Sequence, residues 1–149
     1  MEHKEGVRPM TPEDVEAVAC LEQTCFSESW SENLLRSGLE CSLDTYLVYG
    51  TESRILGYCV FRCLGNEGEL QRIGVEPEFR GRGIARKLME AMFTLARMKG
   101  VQTMSLEVRE SNEKARNLYE SCGFKQEAVR RGYYHNPLED ALIMWNRRI

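Results

Sequence analysis

The hydrophobic pattern along the chain switches repeatedly between a period of two and a period near 3.6, and each switch marks an element. Val7–Met10 reads as a short strand. Thr11-Pro12-Glu13-Asp14 follows as an N-cap, a proline at the first helical position and acids in the first turn. Val15, Val18, Leu21 and Cys25, with Ala19 and Glu22 beside them, give that helix one buried face. Phe26–Trp30 is a break holding two aromatics, after which Ser31 caps a second helix through Leu39 with Leu34 and Leu35 inward. Thr45–Tyr49 and Ile55–Leu64 read as a hairpin about the turn Gly50–Arg54, and Gly65-Asn66-Glu67-Gly68 turns the chain into a further strand, Glu69–Val75. Apolar residues at Ile84, Leu88, Ala91, Met92 and Leu95 make a helix that stops near Gly100. Thr103–Arg109 alternates as a strand, with Met104, Leu106 and Val108 on one side and Ser105, Glu107 and Arg109 on the other. Asn112 caps a last helix with the stripe Ala115, Leu118, Tyr119 and Cys122, ended by Gly123. Phe124–Tyr134 and Leu138–Trp145 close the chain as two strands joined by His135-Asn136-Pro137.

The predicted order is therefore β-α-α-β-β-β-α-β-α-β-β. Helices that alternate with strands in the second half imply an α/β fold: a mixed central sheet with helices on both faces. In such sheets ligands sit beyond strand ends, where neighbouring strands diverge.

Composition narrows the class. With 149 residues, 42 % hydrophobic and 29 % charged, the chain is expected to be one globular domain spanning 1–149. A net charge of −3 argues against bulk attraction to nucleic acid or an acidic membrane, so any basic site must be local. No apolar run approaches the ~20 residues of a membrane span, and MEHKEGVRPM lacks the apolar core of a secretion signal. A cytoplasmic location is expected. The six cysteines (20, 25, 41, 59, 63 and 122) are then reduced thiols, expected mostly in the core. None forms Cys-x-x-Cys, and the two histidines, His3 and His135, lie far apart, so no metal site is expected. A Cys–His nucleophile pair using His135 has no local motif behind it.

The chemistry concentrates between Gln71 and Leu95. Strand, turn and helix meet at Arg80-Gly81-Arg82-Gly83-Ile84-Ala85-Arg86-Lys87, which holds four cations in eight residues. The first N–H groups of a helix lack intrahelical partners and carry the positive end of its dipole, and small residues let a ligand approach the backbone, so this is a place to hold phosphate. Taken alone it is equally a solvated basic loop. It is not a Walker A loop, since no Gly-x4-Gly-Lys-Ser/Thr occurs, nor a dinucleotide fingerprint, since Arg86 stands where a third glycine would be. Glu107 alone suits the polar face of a strand, and Tyr119 alone suits the rim of a core.

Arg80-x-x-Gly83-x-Ala85 resembles the Gln/Arg-x-x-Gly-x-Gly/Ala pyrophosphate loop of the GCN5-related N-acetyltransferases (GNAT), which bind acetyl-coenzyme A. LEVRESNEKARNLYESCGF (106–124), RRGYYHNPLEDALIM (130–144) and FSESWSENLL (26–35) resemble that family's RimI branch, whose members acetylate the N-terminal amine of a ribosomal protein, an alanine N-terminus. The resemblance covers nearly the whole chain and implies the GNAT fold, acetyl-CoA as cosubstrate and a protein N-terminal peptide as partner. It implies that Ile73, Gly74 and Val75 offer backbone groups to the pantetheine arm. It also implies that Arg80, Gly81, Arg82, Gly83, Ile84, Ala85 and Arg86 hold the pyrophosphate and that Asn112 touches the cofactor. Glu107 matches the branch's general base, Tyr119 its general acid, and Tyr133 and Tyr134 the loop beside the acceptor peptide. Gly74 departs from a more usual alanine, and Gly132 from an asparagine.

The implied chemistry is reasonable. An α-amine, with pKa ~7.7–8.0, is about a tenth neutral at pH 7, whereas a lysine at ~10.4 is almost wholly charged. A carboxylate near its ordinary ~4.3 is a weak base unless raised by burial or acting through water. A thiolate leaving group gains from a proton given by Tyr119, and the oxyanion is expected at the Val75 N–H. Acetylation of a lysine side chain or small amine, a non-catalytic coenzyme A-binding module and a nucleic-acid binder using Arg80–Lys87 and Arg130-Arg131 are the other readings weighed. Glu107 and Tyr119 together speak against the second, and the acidic net charge against the third.

Overall fold

The computed structural model describes residues 5–51 and 53–149; residues 1–4, His3 among them, and Glu52 in the Gly50–Arg54 turn lie outside the described residues. The elements follow the predicted order: β1 Gly6–Pro9, α1 Val15–Cys25, α2 Glu32–Leu39, β2 Asp44–Gly50, β3 Ile55–Leu64, β4 Glu67–Val75, α3 Ile84–Met98, β5 Thr103–Arg109, α4 Glu113–Ser121, β6 Lys125–Tyr134 and β7 Glu139–Asn146. Pro12–Asp14 makes a separate short 3-10 turn ahead of α1, with Thr11 and Asp14 forming a capping box, so the helix starts later than its cap suggests. Ser31 and Asn112 cap α2 and α4 by accepting from Leu34 N and Ala115 N.

The strands form one sheet in the order β1-β2-β3-β4-β5-β7-β6. Every neighbouring pair is antiparallel except β4 and β5. Strand alternation divides the core in two. Tyr46, Val48, Tyr58 and Val60 pack with Val15, Val18, Leu21 and Leu35 of α1 and α2. Leu47, Tyr49, Cys59 and Phe61 face the other way, onto Leu88, Met89 and Met92 of α3 and Tyr119 of α4. The sheet therefore carries helices on both faces, as its patterning requires.

Three expectations fail here. Leu34 is 56 % exposed whereas Leu35 is fully buried, because α2 turns its Leu35, Gly38 and Leu39 side toward the core and Leu34 projects from the next side round. The cysteines are not mostly core: Cys59 is buried, Cys20 is exposed and the other four are half-buried. Glu67 and Gly68, read as turn, already belong to β4, where Gly68 pairs with Cys63 on one side and Met104 on the other.

One irregularity positions the site. In the β3–β4 ladder Val60 pairs with Arg72 and Phe61 with Leu70, so Gln71 is an extra residue, a β-bulge that bends and twists its strand. The parallel pairing of β4 with β5 runs from Glu67 opposite Thr103 to Leu70 opposite Leu106 and ends there, at the bulge. Beyond it β4 continues beside β3, and β5 continues beside β7. The two strands splay apart in mid-sheet.

Candidate active site

The gap between β4 and β5 opens into a cleft of about 920 Å³. Its inner wall is the exposed edge of β4. Glu76 N donates to Leu56 O at 2.8 Å, directly after the Gly57–Val75 pair. In an antiparallel ladder bonded and non-bonded pairs alternate. Ile73 and Val75 therefore turn their backbone groups away from β3 and into the gap, while Gly74 turns its own toward Tyr58. This corrects one expectation: Gly74 is not a backbone donor to the cleft. What it contributes is the absence of a side chain. A Cβ there would lie 3.2 and 3.3 Å from the Phe26 ring and 3.4 Å from Cys25 Cβ. The Val75 carbonyl is engaged, accepting from Arg80 Nε at 3.0 Å and from the Cys25 thiol at 3.4 Å, which leaves the Val75 N–H as the group that faces the cleft.

The glycine-rich segment lies at one end. Gly81 and Gly83 both have φ of +81°, the left-handed region, and no atom approaches their Cβ positions within 4 Å. Gly83 is the N-cap of α3, and Lys87 N is the first amide to bond back, to Gly83 O. The preceding amides of α3, at Ile84, Ala85 and Arg86, have no intrahelical partner, and these residues line the cleft at the positive end of the helix dipole. The arginines of the segment are already occupied. Arg80 holds the Val75 carbonyl, Arg82 lies 4.8 Å over the Phe79 ring, and Arg86 donates to Ser121 Oγ at 2.6 Å, tying α3 to α4. Arg82 is the one expected site residue that does not line the cleft. The Arg80 and Arg86 side chains line the same cleft as these amides.

Opposite, Glu107 projects from β5 and Tyr119 from α4, and both line the cleft with Asn112, Tyr133 and Tyr134. Tyr119 is 6 % exposed, packed edge-on against Phe124 at 6.1 Å. Burial pushes its phenol well above the usual value, with the nearby Tyr134 adding to the effect, so it stays protonated and able to donate. Burial, then the Glu107 carboxylate, pushes Tyr134 up to about 12. Tyr133 is raised for the same two reasons. Glu107 Oε1 accepts from Arg130 Nη1 at 2.9 Å. The Asn112 side chain is committed to capping α4, so the cleft meets it as part of a helix start.

Two arginines absent from the expected site shape its walls. Arg72, on β4, reaches the fully buried Glu22 of α1 with Nη2–Oε1 at 2.7 Å and Nε–Oε2 at 3.2 Å. Its guanidinium lies between the Phe26 and Trp30 rings, 4.2 and 4.6 Å from their centroids, and donates to Glu28 O. Trp30 N and the Tyr58 hydroxyl also donate to Glu22. The whole α1–α2 connection, whose Phe26, Ser27 and Glu28 line the cleft, is wound around that one guanidinium. Arg109, the last residue of β5, stacks 4.5 Å over Tyr134 and donates to His135 O, Pro137 O and Glu139 Oε1, with Ser27 Oγ at 3.5 Å. It holds the β6–β7 turn and meets the α1–α2 connection across the cleft. The sequence did carry a signal for these walls, in the two aromatics of the Phe26–Trp30 break and the ionisable Glu22 on the inner side of α1. Among the described residues no group of three His, Cys, Asp or Glu side chains could hold a metal ion, and no helix is long and apolar enough to cross a membrane.

A mixed sheet split between two parallel strands, with a glycine-rich helix start at one end of the split, is an α/β fold with a cleft suited to a phosphate-bearing ligand. The chain belongs to the acetyltransferase (GNAT) family, whose model matches residues 15–124. It is 33 % identical over 97 % of its length, and 97 % of the relative's, to a Bacillus subtilis protein provisionally named a ribosomal protein bS18-alanine N-acetyltransferase. It is 34 % identical to the Escherichia coli K12 protein of that name, over 88 % of this chain and 89 % of the other. The crystal structure of the E. coli ribosomal-protein-S18-alanine N-acetyltransferase superposes with a TM-score of 0.86 at 29 % identity, covering 95 % of this chain and 92 % of that one.

Proposed function

We propose that the protein transfers an acetyl group from acetyl-CoA to the N-terminal α-amine of a protein chain, a ribosomal protein with an N-terminal alanine. The observation that carries this reading is the convergence of Glu107 and Tyr119, from β5 and α4, on one cleft beside the free edge of β4. The names of the full-length relatives support the choice of acceptor.

In this account the amides at the start of α3, with Gly81 and Gly83, hold the pyrophosphate, and Ile73 and Val75 bond the pantetheine arm as an added strand would. The Val75 N–H meets the thioester oxygen as it gains charge. The amine nitrogen attacks the thioester carbon; the C–N bond forms, the C–S bond breaks, the amine's proton passes to Glu107 directly or through a water, and the thiolate takes the Tyr119 proton. No covalent enzyme intermediate is needed. The residues fit the cosubstrate: the first amides of α3 have no intrahelical partner, and nothing crowds Gly81 or Gly83. The expected cytoplasmic location belongs to the same reading, supported by six free cysteines.

The test is thiol release from acetyl-CoA with short Ala-initiated peptides, each also made with a blocked α-amine. Turnover that blocking abolishes, and that Glu107→Gln and Tyr119→Phe slow by about 10²-fold or more, supports the reading. Equal turnover of blocked, lysine-containing peptides moves the acceptor to a side chain.

A further inference from the structure

The Glu107 carboxylate already holds a cation, and that cation comes from the chain itself. Glu107 pairs across the sheet with Ile143, Ile143 with Ala128, and Arg109 and Arg130 share Ala141 as their cross-strand neighbour. Arg130 therefore lies on the same sheet face as Glu107, two strands away. It reaches diagonally across β7, where its own neighbour is Ala141 and that of Glu107 is Ile143, to Glu107 Oε1 at 2.9 Å. Its guanidinium also sits 4.8 Å over the Tyr133 ring. Carboxylate and aromatic face together make a seat for a positive charge.

An acceptor amine arrives mostly as ammonium, and its proton must come within about 2.6–3.2 Å of the base, or one water away. That is the position Arg130 occupies. Arginine does not release its proton in proteins, so it fills the seat without reacting. It is also weakly held. Arg130, on the edge strand β6, is 54 % exposed, and Glu107, on the interior strand β5, is 31 % exposed; an ion pair this open to water contributes little.

We propose that Arg130 occupies the acceptor's ammonium subsite in the free enzyme, and that the acceptor amine must displace it there to bind. The inference rests on Glu107 facing the acceptor amine. It makes Arg130 an internal competitor: removing it strengthens ground-state and transition-state binding of the acceptor alike, which alters KM and leaves kcat unchanged.

The experiment measures kcat and KM for an Ala-initiated peptide, and KM for acetyl-CoA, in the wild type, Arg130→Gln, Glu107→Gln and the double variant. Arg131→Gln is the charge control, since Arg131 is 88 % exposed and pairs loosely with Asp140 at 3.7 Å. Arg130→Gln is expected to lower the peptide KM by about two- to five-fold, the range of an exposed ion pair, with kcat and the acetyl-CoA KM unchanged, no such fall for Arg131→Gln, and no further fall when Glu107 is already Gln. An unchanged or raised peptide KM, or a loss of kcat, in Arg130→Gln overturns the proposal even where Glu107→Gln still cripples turnover, and Arg130 is then a residue that positions the base. If Glu107→Gln leaves turnover intact, the base assignment fails, and the peptide KM of Arg130→Gln alone decides whether the seat exists.

Discussion

Glu22 and Arg72, fifty positions apart, form a two-pronged ion pair beneath the cleft wall, with the Glu22 side chain wholly removed from water. A buried pair of this kind contributes little net stability relative to apolar packing, yet removing one partner leaves an uncompensated charge and costs about 3–5 kcal/mol. Arg72→Ala is therefore expected to lower the melting temperature by roughly 6–20 °C, at 2–4 °C per kcal/mol for a chain of this size. Arg72→Lys keeps the charge but loses the planar fork between Phe26 and Trp30, and recovers only part of the loss. Thermal unfolding followed by circular dichroism checks both; a melting temperature unchanged in Arg72→Ala contradicts the arrangement.

Gly74→Ala tests the contact between β4 and the α1–α2 connection. The new methyl would stand 3.2 Å from a Phe26 ring that is also stacked on the Arg72 guanidinium at 4.2 Å, so the ring has little freedom to yield. Overpacking of this kind costs about 1–3 kcal/mol. The expected result is a lower melting temperature with a raised peptide KM, both relieved by adding Phe26→Leu. Failure of that second change to relieve either would separate Gly74 from Phe26.

The glycines at the start of α3 differ in kind. Nothing crowds Gly81 or Gly83, so alanine there meets only the backbone cost of the left-handed region, about 1–2 kcal/mol per position. If this loop holds the pyrophosphate, Gly81→Ala and Gly83→Ala raise the KM for acetyl-CoA several-fold and leave the peptide KM alone. Steady-state kinetics with each substrate varied in turn distinguishes them; a change confined to the peptide KM would place the loop on the wrong side of the reaction.

The tyrosines set the alkaline behaviour. Tyr46, Tyr58, Tyr119, Tyr133 and Tyr134 are all raised, chiefly by burial, Tyr46 and Tyr134 to about 12. Below pH ~10, the unfolded value, folded and unfolded chains both keep these protons and no stability depends on them. Above it the unfolded chain loses protons that the folded chain retains, so stability falls as pH rises toward the folded values. Spectrophotometric titration is expected to show most phenols ionising only with unfolding, and kcat should show no loss from Tyr119 ionisation below pH ~10. A kcat that falls with a phenol-like midpoint below that value contradicts Tyr119 as the buried donor.

How much of this could be read from the chain depends on the range of the interactions. The element order was legible because each strand and helix announces its own period, and Ser31, Asn112 and Gly100 punctuate it locally. The cleft's position was legible only in kind, since a parallel pair must diverge somewhere; the place is set by the Gln71 bulge, which leaves no mark in composition. Leu34 and Leu35 show the limit of pattern reading on a short helix, whose few apolar positions leave open which side turns to the core. The Glu22–Arg72 pair and the partners of Arg80, Arg86 and Arg109 are long-range or induced by the turn geometry, so four cations that looked free for phosphate turned out to be bound elsewhere or stacked on rings.

The most direct measurement is the position of the acetyl group on a peptide that offers both kinds of amine. A short Ala-initiated peptide with one internal lysine would be incubated with enzyme and acetyl-CoA, and the product sequenced by fragmentation mass spectrometry. Acetyl on the α-amine, with the lysine unmodified, and loss of product in Tyr119→Phe and Glu107→Gln, is the predicted result. Acetyl on the lysine with a free α-amine would contradict the central claim while leaving the family and the fold intact.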